Sequence, residues 1–222
     1  MRDLTLVFDL DGTLIDTAPD LIRATNHVIV GDGLEPMPPE ALRPWISYGA
    51  RRLIEVALSA RGANRSTAEV DVLLAGFLHH YEHNIAVESR AFEGLERALD
   101  AATAAGARLA VCTNKREHLS RILLTELGLV HRFAAIAGRD TFAVCKPHPD
   151  HLLGAIRMAG GDPARAVMVG DSDVDVATAK AARLPVIAVT FGYTSIPIAE
   201  LEADAVIDHY DGFLPALAGI LG

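Results

Sequence analysis

Short apolar runs alternate with longer segments of helical periodicity along most of the chain. Five runs are apolar at nearly every position, at residues 4–8, 109–112, 166–169, 186–189 and 205–207. Runs that are apolar on both faces are typical of strands in a parallel sheet covered by helices. Amphipathic segments that each end at a glycine predict helices over residues 93–105, 116–127 and 150–159. This alternation predicts a doubly wound parallel α/β fold.

The segment from residue 15 to residue 88 has a different pattern, with no run that predicts a strand. Its apolar positions recur at helical spacing and predict helices over residues 19–30, 39–46, 51–58 and 67–84. Ser66 and Glu69 have the spacing of a capping box at the start of the last of these helices. We therefore predict a core of residues 1–14 and 85–222, with residues 15–84 inserted as an all-helical cap above the strand ends.

Composition places the chain among ordinary globular proteins. Of its 222 residues 50% are apolar and 22% are charged, which excludes a disordered or low-complexity protein and leaves enough material for a sizeable core. The formal net charge is −9, and an acidic chain is repelled by phosphate backbones. We therefore expect no nucleic-acid partner, whereas a small anionic substrate is possible where cations collect at one site.

Cysteine content and the longest uncharged stretch bear on location. Cys112 and Cys145 are too few for a disulfide framework, so we expect a reduced, cytoplasmic protein. The first apolar run is interrupted by Asp9 and Asp11, so we expect that it is not a secretory signal. Residues 184–199 are uncharged but contain prolines and fall short of the ~20 residues that span a bilayer, so no membrane partner is expected. We expect a monomer or a homodimer.

Polar side chains follow three of the predicted strands, at the point where each strand ends. They are Asp9 and Asp11 after the first strand, Thr113 and Asn114 after the second, and Asp171 and Asp175 after the third. Ligands of open α/β sheets bind beyond the carboxyl ends of the strands, so we expect these side chains to share one space. Four carboxylates in one space need a counter-charge, and ligands that are all oxygens favour Mg²⁺ beside a substrate phosphate.

The Asp-x-Asp spacing after the first strand predicts phosphoryl transfer in two steps. Asp9 can attack phosphorus to form an aspartyl-phosphate, while Asp11 can protonate the leaving alkoxide and then deprotonate the attacking water. Thr113 and Asn114 are neutral donors suited to the phosphoryl oxygens, and Lys146 can supply a further positive charge. Taken alone, Asp9 and Asp11 also fit a solvated turn after a strand, because Asp-Gly pairs are common in turns.

Four short motifs, in order along the chain, resemble those of the haloacid dehalogenase superfamily of phosphohydrolases. They are Asp9-Leu10-Asp11-Gly12-Thr13-Leu14, Thr113-Asn114, Lys146-Pro147 and Gly170-Asp171-Ser172-x-x-Asp175. The helical insertion resembles the cap of the phosphoglycolate phosphatase-like group, and residues 48–55 resemble that group's glycine-centred loop and the helix after it. The resemblance implies a Rossmann-like parallel core with an inserted helical cap that opens and closes over the site.

The resemblance also implies a role for the acidic residues. Asp9 would be the nucleophile and Asp11 the general acid and base. Mg²⁺ would be held by the Asp9 carboxylate, the Asp11 main-chain carbonyl and Asp171, with Asp175 supporting the metal shell. Haloacid dehalogenases proper lack an acid at the position of Asp11, so halide displacement is not expected.

The resemblance assigns phosphoryl binding to Thr113, Asn114 and Lys146. In the cap, Arg51 and Arg52 have two interpretations. They can lie on the helix surface and pair with a glutamate of the same helix. Alternatively, they can reach a substrate anion, since arginine binds carboxylates in bidentate fashion.

Other residues that could carry chemistry have simpler interpretations. His79 and His83 have the i, i+4 spacing of a zinc site, but no third ligand is evident, so we expect a solvated cap helix. Cys112 lies in an apolar run and is expected to be a small core residue. Asp173 is expected to cap the helix that follows it.

Together these features predict a Mg²⁺-dependent phosphomonoesterase that acts on a small phosphorylated metabolite. The expected substrate is 2-phosphoglycolate, cleaved to glycolate and phosphate. The alternatives within the class are a sugar-phosphate or nucleotide phosphatase, a pyrophosphatase and a β-phosphoglucomutase-like enzyme. An alternative outside the class is a non-catalytic regulator that binds phosphate or metal, against which Asp11 argues because such a module has little use for a proton shuttle.

Overall fold

A computed structural model of the chain describes residues 2–194 and 196–222. Its strands are β1 (Thr5–Phe8), β2 (Ile15–Asp16), β3 (Arg90–Ala91), β4 (Arg108–Cys112), β5 (Ala135–Ala137), β6 (Ala166–Gly170), β7 (Val186–Val189) and β8 (Ala205–Ile207). Six of them form a parallel sheet in the order β5–β4–β1–β6–β7–β8. The prediction of a parallel α/β sheet is confirmed, and each of the five predicted strands lies within one residue of its expected position.

The α-helices divide between the two faces of the sheet and the inserted segment. They are α1 (Ala18–Gly31), α2 (Pro39–Leu42), α3 (Ala50–Ala60), α4 (Thr67–His83), α5 (Leu95–Ala104), α6 (Glu117–Glu126), α7 (Pro149–Met158), α8 (Asp173–Ala182) and α9 (Phe213–Leu221). In β1, Val7 packs with residues of α7 and α8, whereas Leu6 and Phe8 pack with residues of α5, α6 and α9. Both faces of the sheet are therefore buried, which explains strands that are apolar at every position.

Three short strands are absent from the sequence prediction. Strand β5 is a three-residue segment, Ala-Ile-Ala, at one edge of the sheet. Strands β2 and β3 have two residues each and pair antiparallel, with Ile15 opposite Ala91 and Asp16 opposite Arg90. Segments this short carry too few residues for a hydrophobic period, so their pairing depends on tertiary contacts.

Four helices, α1 to α4, make up the helical insertion, which we define as residues 18–83. Each predicted helix of this segment is present, but the one expected over residues 39–46 ends at Leu42 and continues as a 3₁₀-helix over Arg43–Tyr48. Pro44 explains the change, because proline has no N–H to donate to the preceding turn. Ser66 and Glu69 form the expected capping box of α4. The division of the chain into core and cap stays a prediction.

The two chain crossings between sheet and insertion are held by buried polar groups. Asp20 accepts hydrogen bonds from the Ser89 N–H at 2.9 Å and the Ser89 hydroxyl at 2.7 Å. On the other crossing, the Tyr193 hydroxyl donates to Asp16 at 2.6 Å and accepts from the Thr17 N–H at 2.7 Å. None of the helices in the described part of the chain is long and apolar enough to cross a bilayer.

Candidate active site

Three adjacent strands at the centre of the sheet deliver the predicted site residues to one edge. Strand β1 leads into Asp9, β4 into Thr113 and β6 into Asp171, and β1 lies between the other two strands. One carboxylate oxygen from each of Asp9, Asp171 and Asp175 lies within 4.8 Å of the others, and all three residues are buried. The fold thus brings together acids that are more than 160 residues apart in the chain.

Lys146 supplies a cation inside this acidic cluster. Its Nζ lies 2.9 Å from Oδ1 of Asp9 and 2.6 Å from Oδ1 of Asp175, and its side chain is almost fully buried. Burial opposes the charge of the ammonium, but Asp175 and Asp9 together raise the pKa of Lys146 above its ordinary value. A lysine that stays charged here offsets part of the repulsion among the carboxylates.

The carboxylates themselves are costly to ionise without a metal. Burial raises the pKa of Asp9 to about 7 against the opposing effect of Lys146, and the nearby Asp175 and Asp11 add smaller increases. Burial and the neighbouring Asp175 and Asp9 also raise the pKa of Asp171 well above its ordinary value. A divalent cation would reverse this balance, and a cluster that offers only oxygen donors fits a hard cation such as Mg²⁺.

Asp175 connects the cluster to the start of helix α8. Its Oδ2 accepts a hydrogen bond from the Ser172 hydroxyl at 2.7 Å and from the Ser172 and Asp171 N–H groups at 3.2 Å each. Ser172, and not Asp173, is the N-cap residue, so the expected capping role of Asp173 is wrong by one position. Asp173 lies in the first helical turn, where its carboxylate accepts a hydrogen bond from Tyr48 of the insertion at 3.0 Å.

Asp171 is held in a close-fitting cradle. Its two oxygens accept hydrogen bonds from the Tyr193 N–H at 2.8 Å and from the Thr13 hydroxyl at 3.1 Å. A Cβ at Gly192 would lie 2.1 Å from Cβ of Asp171, and one at Gly12, where φ is +84°, would lie 2.5 Å from its Oδ2. Only glycine at these two positions lets the backbone approach the carboxylate this closely.

We expect Gly192→Ala to weaken metal binding, because the added methyl must displace Asp171. The apparent dissociation constant for Mg²⁺ should rise about tenfold, an effect usual for a disturbed metal ligand. Gly219→Ala is the matched control, since a Cβ there meets no atom within 4 Å. Equal Mg²⁺ requirements for both variants and the wild type would contradict a metal role for Asp171.

The predicted phosphoryl donors lie around the same edge. Thr113 is buried, and the amide nitrogen of Asn114 donates to the Lys146 carbonyl at 3.2 Å, while its Oδ1 is buried with no hydrogen-bond partner among the described residues. His151 supports the Lys146 loop: its Nδ1 accepts from the Lys146 N–H at 3.1 Å, and its Nε2 lies 3.0 Å from the Gly138 carbonyl. Burial, aided by Lys146, lowers the pKa of His151 to about 4, so the ring stays neutral and keeps both contacts.

A cavity of about 570 Å³ separates these strand ends from the helical insertion. Asp9, Asp11, Thr113 and Asn114 line it from the core, and α3 and α4 line it from above. Its cationic side chains are Arg51, Lys115, Arg116 and Arg139. The cavity therefore combines a cluster of acids with a ring of cations, as a small anionic ligand and a metal ion together require.

The two cap arginines lie on different sides of α3. Arg51 lines the cavity and pairs with Asp71 on α4. Arg52 does not line the cavity; it lies 3.9 Å from Glu55 and stacks on Trp45 at 4.8 Å. Successive helical residues differ by about 100° in direction, so only one of the two can face the ligand. Arg52 therefore lies outside the cavity wall in this arrangement, and its contact with a substrate stays a prediction.

The structure also shows the surroundings of His79, His83 and Cys112. The His79 and His83 rings lie 4.6 Å apart, but in the described ranges only Asp9, Asp171 and Asp175 form a group of three or more residues able to hold a metal. Burial raises the pKa of the Cys112 thiol to about 12, as expected for a core residue and not a nucleophile.

Sequence reasoning missed three residues that the fold places at the site. Lys115 lies 2.9 Å from the Asp11 carboxylate, Tyr81 reaches Lys115 from α4, and Arg139 lines the cavity after β5. Lys115 could have been found, because it directly follows Asn114 at a predicted strand end. Tyr81 and Arg139 gave no signal, since one is an aromatic residue in an amphipathic helix and the other follows an unpredicted strand.

The fold and the acidic cluster define the class of the protein, a hydrolase with an α/β core and a helical insertion. A model of the haloacid dehalogenase-like hydrolases matches residues 6–189, and the chain belongs to this family. The resemblance noted in the sequence is thereby confirmed.

The chain is similar to named relatives and to a solved structure over most of its length. The chain is 49% identical to the phosphoglycolate phosphatase of Mesorhizobium japonicum, over 96% of this chain and 94% of the relative. It is 47% identical to the phosphoglycolate phosphatase of Agrobacterium fabrum, over 95% and 91%. Among solved structures, a predicted phosphoglycolate phosphatase from Haemophilus somnus superposes with a TM-score of 0.90 at 29% identity, covering 97% of this chain and 98% of that one.

Proposed function

We propose that this protein hydrolyses 2-phosphoglycolate to glycolate and phosphate through a phosphorylated Asp9. The observation that carries the proposal is the buried cluster of Asp9, Asp171 and Asp175, in which Lys146 pairs with Asp9 and Asp175 and Asp9 lines a cavity that also has cationic side chains. The names of the Mesorhizobium and Agrobacterium relatives support the substrate. A small phosphorylated metabolite is the expected partner, and the cytoplasmic location and the monomeric or homodimeric state stay predictions.

Two steps transfer the phosphoryl group. In the first, an oxygen of Asp9 attacks phosphorus, the bond from phosphorus to the glycolate oxygen breaks, and Asp11 gives its proton to that oxygen. In the second, Asp11 takes a proton from water while the water oxygen attacks phosphorus. The bond from phosphorus to Asp9 then breaks and releases phosphate. Thr113 and Lys146 orient the phosphoryl oxygens throughout.

The donor set fits a single Mg²⁺ ion. The Asp9 and Asp171 carboxylates and the Asp11 main-chain carbonyl would hold it, because Mg²⁺ takes oxygen ligands and few of them from the protein. Both oxygens of Asp175 are already used, by Lys146 and by the Ser172 cap, so Asp175 supports the arrangement without being a ligand. When bound, Mg²⁺ supplies positive charge that offsets the charge on the phosphoryl oxygens.

Recognition of the glycolate carboxylate falls to cations on the cavity wall. Arg139 is exposed, and no carboxylate of the described residues pairs with it. Its Nη1 lies 3.8 Å from where a Cβ at Gly49 would stand, so the guanidinium reaches the first residues of α3. Arg51 projects into the same cavity from α3. A carboxylate bound between Arg51 and Arg139 gains charge-assisted hydrogen bonds from core and insertion together.

Phosphate release from 2-phosphoglycolate with and without Mg²⁺ tests the proposal. We expect Mg²⁺-dependent turnover, and Arg139→Ala should raise KM for 2-phosphoglycolate about tenfold, as for one lost charge-assisted hydrogen bond. KM for 2-hydroxyethyl phosphate, in which a neutral group replaces the carboxylate, should stay within about twofold. Arg52→Ala is the matched control, because this arginine lies outside the cavity lining.

Four outcomes would contradict parts of this proposal. If Arg139→Ala changed KM equally for both substrates, the proposed contact between Arg139 and the substrate carboxylate would be contradicted. Faster turnover of a sugar phosphate, a nucleotide or pyrophosphate would show that 2-phosphoglycolate is not the preferred substrate. Conversion of β-glucose 1-phosphate to glucose 6-phosphate would indicate a mutase. Phosphate binding without any turnover would favour the non-catalytic regulator.

A further inference from the structure

Lys115 is the cation that holds the proposed acid, Asp11. Its Nζ lies 2.9 and 3.2 Å from the two oxygens of the Asp11 carboxylate and 2.8 Å from the Tyr81 hydroxyl, and its side chain is only 5% exposed. The three hydrogens of the ammonium group thus have three acceptors. The Lys115 backbone is fixed as well, because its N–H donates to the Thr113 hydroxyl and its carbonyl accepts from the Arg139 N–H.

No other side chain of residues 2–194 and 196–222 hydrogen-bonds to the Asp11 carboxylate. An aspartate side chain has two rotatable bonds, so without Lys115 the Asp11 carboxylate has no partner that fixes its direction. Proton transfer needs donor and acceptor within hydrogen-bond distance, which makes that direction important for the rate.

Tyr81 brings the helical insertion into this arrangement. It lies near the end of α4, is fully buried and stacks with Phe77 at 5.8 Å. Its hydroxyl accepts from Lys115, and its ring lies 4.5 Å from the Lys115 Nζ. This contact crosses from insertion to core, so it exists only while the insertion covers the strand ends.

We propose that Lys115 is a positioning residue for Asp11 and that Tyr81 fixes Lys115, so that the acid is correctly placed only when the insertion covers the site. The inference rests on the proposed function, because it needs Asp11 to act as an acid. It goes beyond that function in making the rate of the proton-transfer step depend on the position of the insertion. Lys115 contacts the acid and Tyr81 contacts Lys115, and neither has a part in binding the phosphoryl group, so their effect should fall on kcat and not on KM.

Single-turnover release of two leaving groups separates positioning from a general effect. Glycolate leaves as a basic alkoxide and needs the Asp11 proton, whereas p-nitrophenolate leaves without one. Lys115→Met should slow glycolate release about 30-fold and p-nitrophenolate release less than about threefold, in line with the usual size of general acid catalysis. Lys115→Arg keeps a cation and should recover at least about a third of the wild-type rate.

A double-mutant cycle tests the link to Tyr81. Tyr81→Phe alone should lower glycolate release about tenfold, and adding it to Lys115→Met should cost no more than about a further twofold, because both variants break one chain of contacts. Tyr48→Phe is the matched control, since Tyr48 also joins the insertion to the core, through Asp173. Its effect should multiply with that of Lys115→Met.

Two results would overturn the inference. One is an equal slowing of both leaving groups in Lys115→Met, and the other is multiplication of the Tyr81→Phe and Lys115→Met effects. A wild type that hydrolyses glycerol 3-phosphate but not 2-phosphoglycolate would instead overturn the proposed substrate. The same cycle on glycerol 3-phosphate, whose alkoxide also needs a proton, would then decide the role of Lys115.

Discussion

Asp9→Asn is expected to lower kcat for 2-phosphoglycolate by at least about 10⁴-fold, because an amide oxygen is a poor nucleophile and cannot form the acyl-phosphate. The side chain keeps its size, so the buried cluster should stay folded. Single-turnover reactions quenched with hydroxylamine provide the direct measurement. The wild type should yield a hydroxamate at Asp9, and the variant should yield none.

The control for Asp9→Asn is a second acid at the same end of the sheet. Asp173→Asn removes a charge from the first turn of α8, where the side chain contacts Tyr48 outside the acidic cluster. It should stay within about threefold of the wild-type rate, as surface changes away from the reacting atoms do. Substantial phosphate release by Asp9→Asn would exclude Asp9 as the nucleophile.

Lys146→Met is expected to lower the free energy of unfolding by about 3–5 kcal/mol in metal-free buffer, because it leaves buried carboxylates without their cation. The carboxylates concerned are those of Asp9 and Asp175, which lie 2.9 and 2.6 Å from the Lys146 Nζ. Excess Mg²⁺ should restore part of this loss, because a ligand that binds only the folded state stabilises it. Urea unfolding of the wild type and the variant, with and without Mg²⁺, measures both the loss of unfolding free energy and the part that Mg²⁺ restores.

The deficit of Lys146→Met should also depend on pH. Asp9 already has a pKa of about 7 in the wild type, raised above its unfolded value mainly by burial, and losing Lys146 raises it further. A carboxyl whose folded pKa is raised stabilises the protein below its unfolded pKa, and that stability is lost as pH rises through the folded value. The deficit should therefore be larger at about pH 8 than at about pH 5.

A surface lysine is the control for this experiment. Lys180 pairs with Glu202 at 2.9 Å, and both side chains are largely exposed. Lys180→Met should cost less than about 1 kcal/mol, as is usual for exposed ion pairs. A similar small loss in Lys146→Met, without any response to Mg²⁺, would contradict the assignment of Lys146 as the counter-ion of the cluster.

The sheet was predictable because both of its faces are buried. Strands such as β6 and β7 are apolar at every position, and this pattern does not depend on knowing their neighbours. Strand β5 was not predictable, because two of its three residues are alanines that favour no strand. The end of α2 at Leu42 follows from Pro44. The sequence prediction extended this helix to residue 46 because the apolar positions continue at helical spacing past the proline.

The acidic cluster was predictable for a topological reason. Parallel strands end at the same edge, so residues directly after β1, β4 and β6 must come close together. Contacts that depend on the insertion were not predictable in this way. Which of Arg51 and Arg52 faces the cavity depends on the rotation of α3, and the contact of Tyr81 with Lys115 depends on where α4 lies above the sheet.

The position of Trp45 has a practical consequence. It is the only tryptophan of the chain, it lies in the segment Arg43–Tyr48 above the site, and it stacks with Arg52. Three residues further on, Tyr48 contacts Asp173 of the core. The protein thus carries its own fluorophore on the insertion, and intrinsic emission can test the predicted opening and closing over the site in real time without a chemical label.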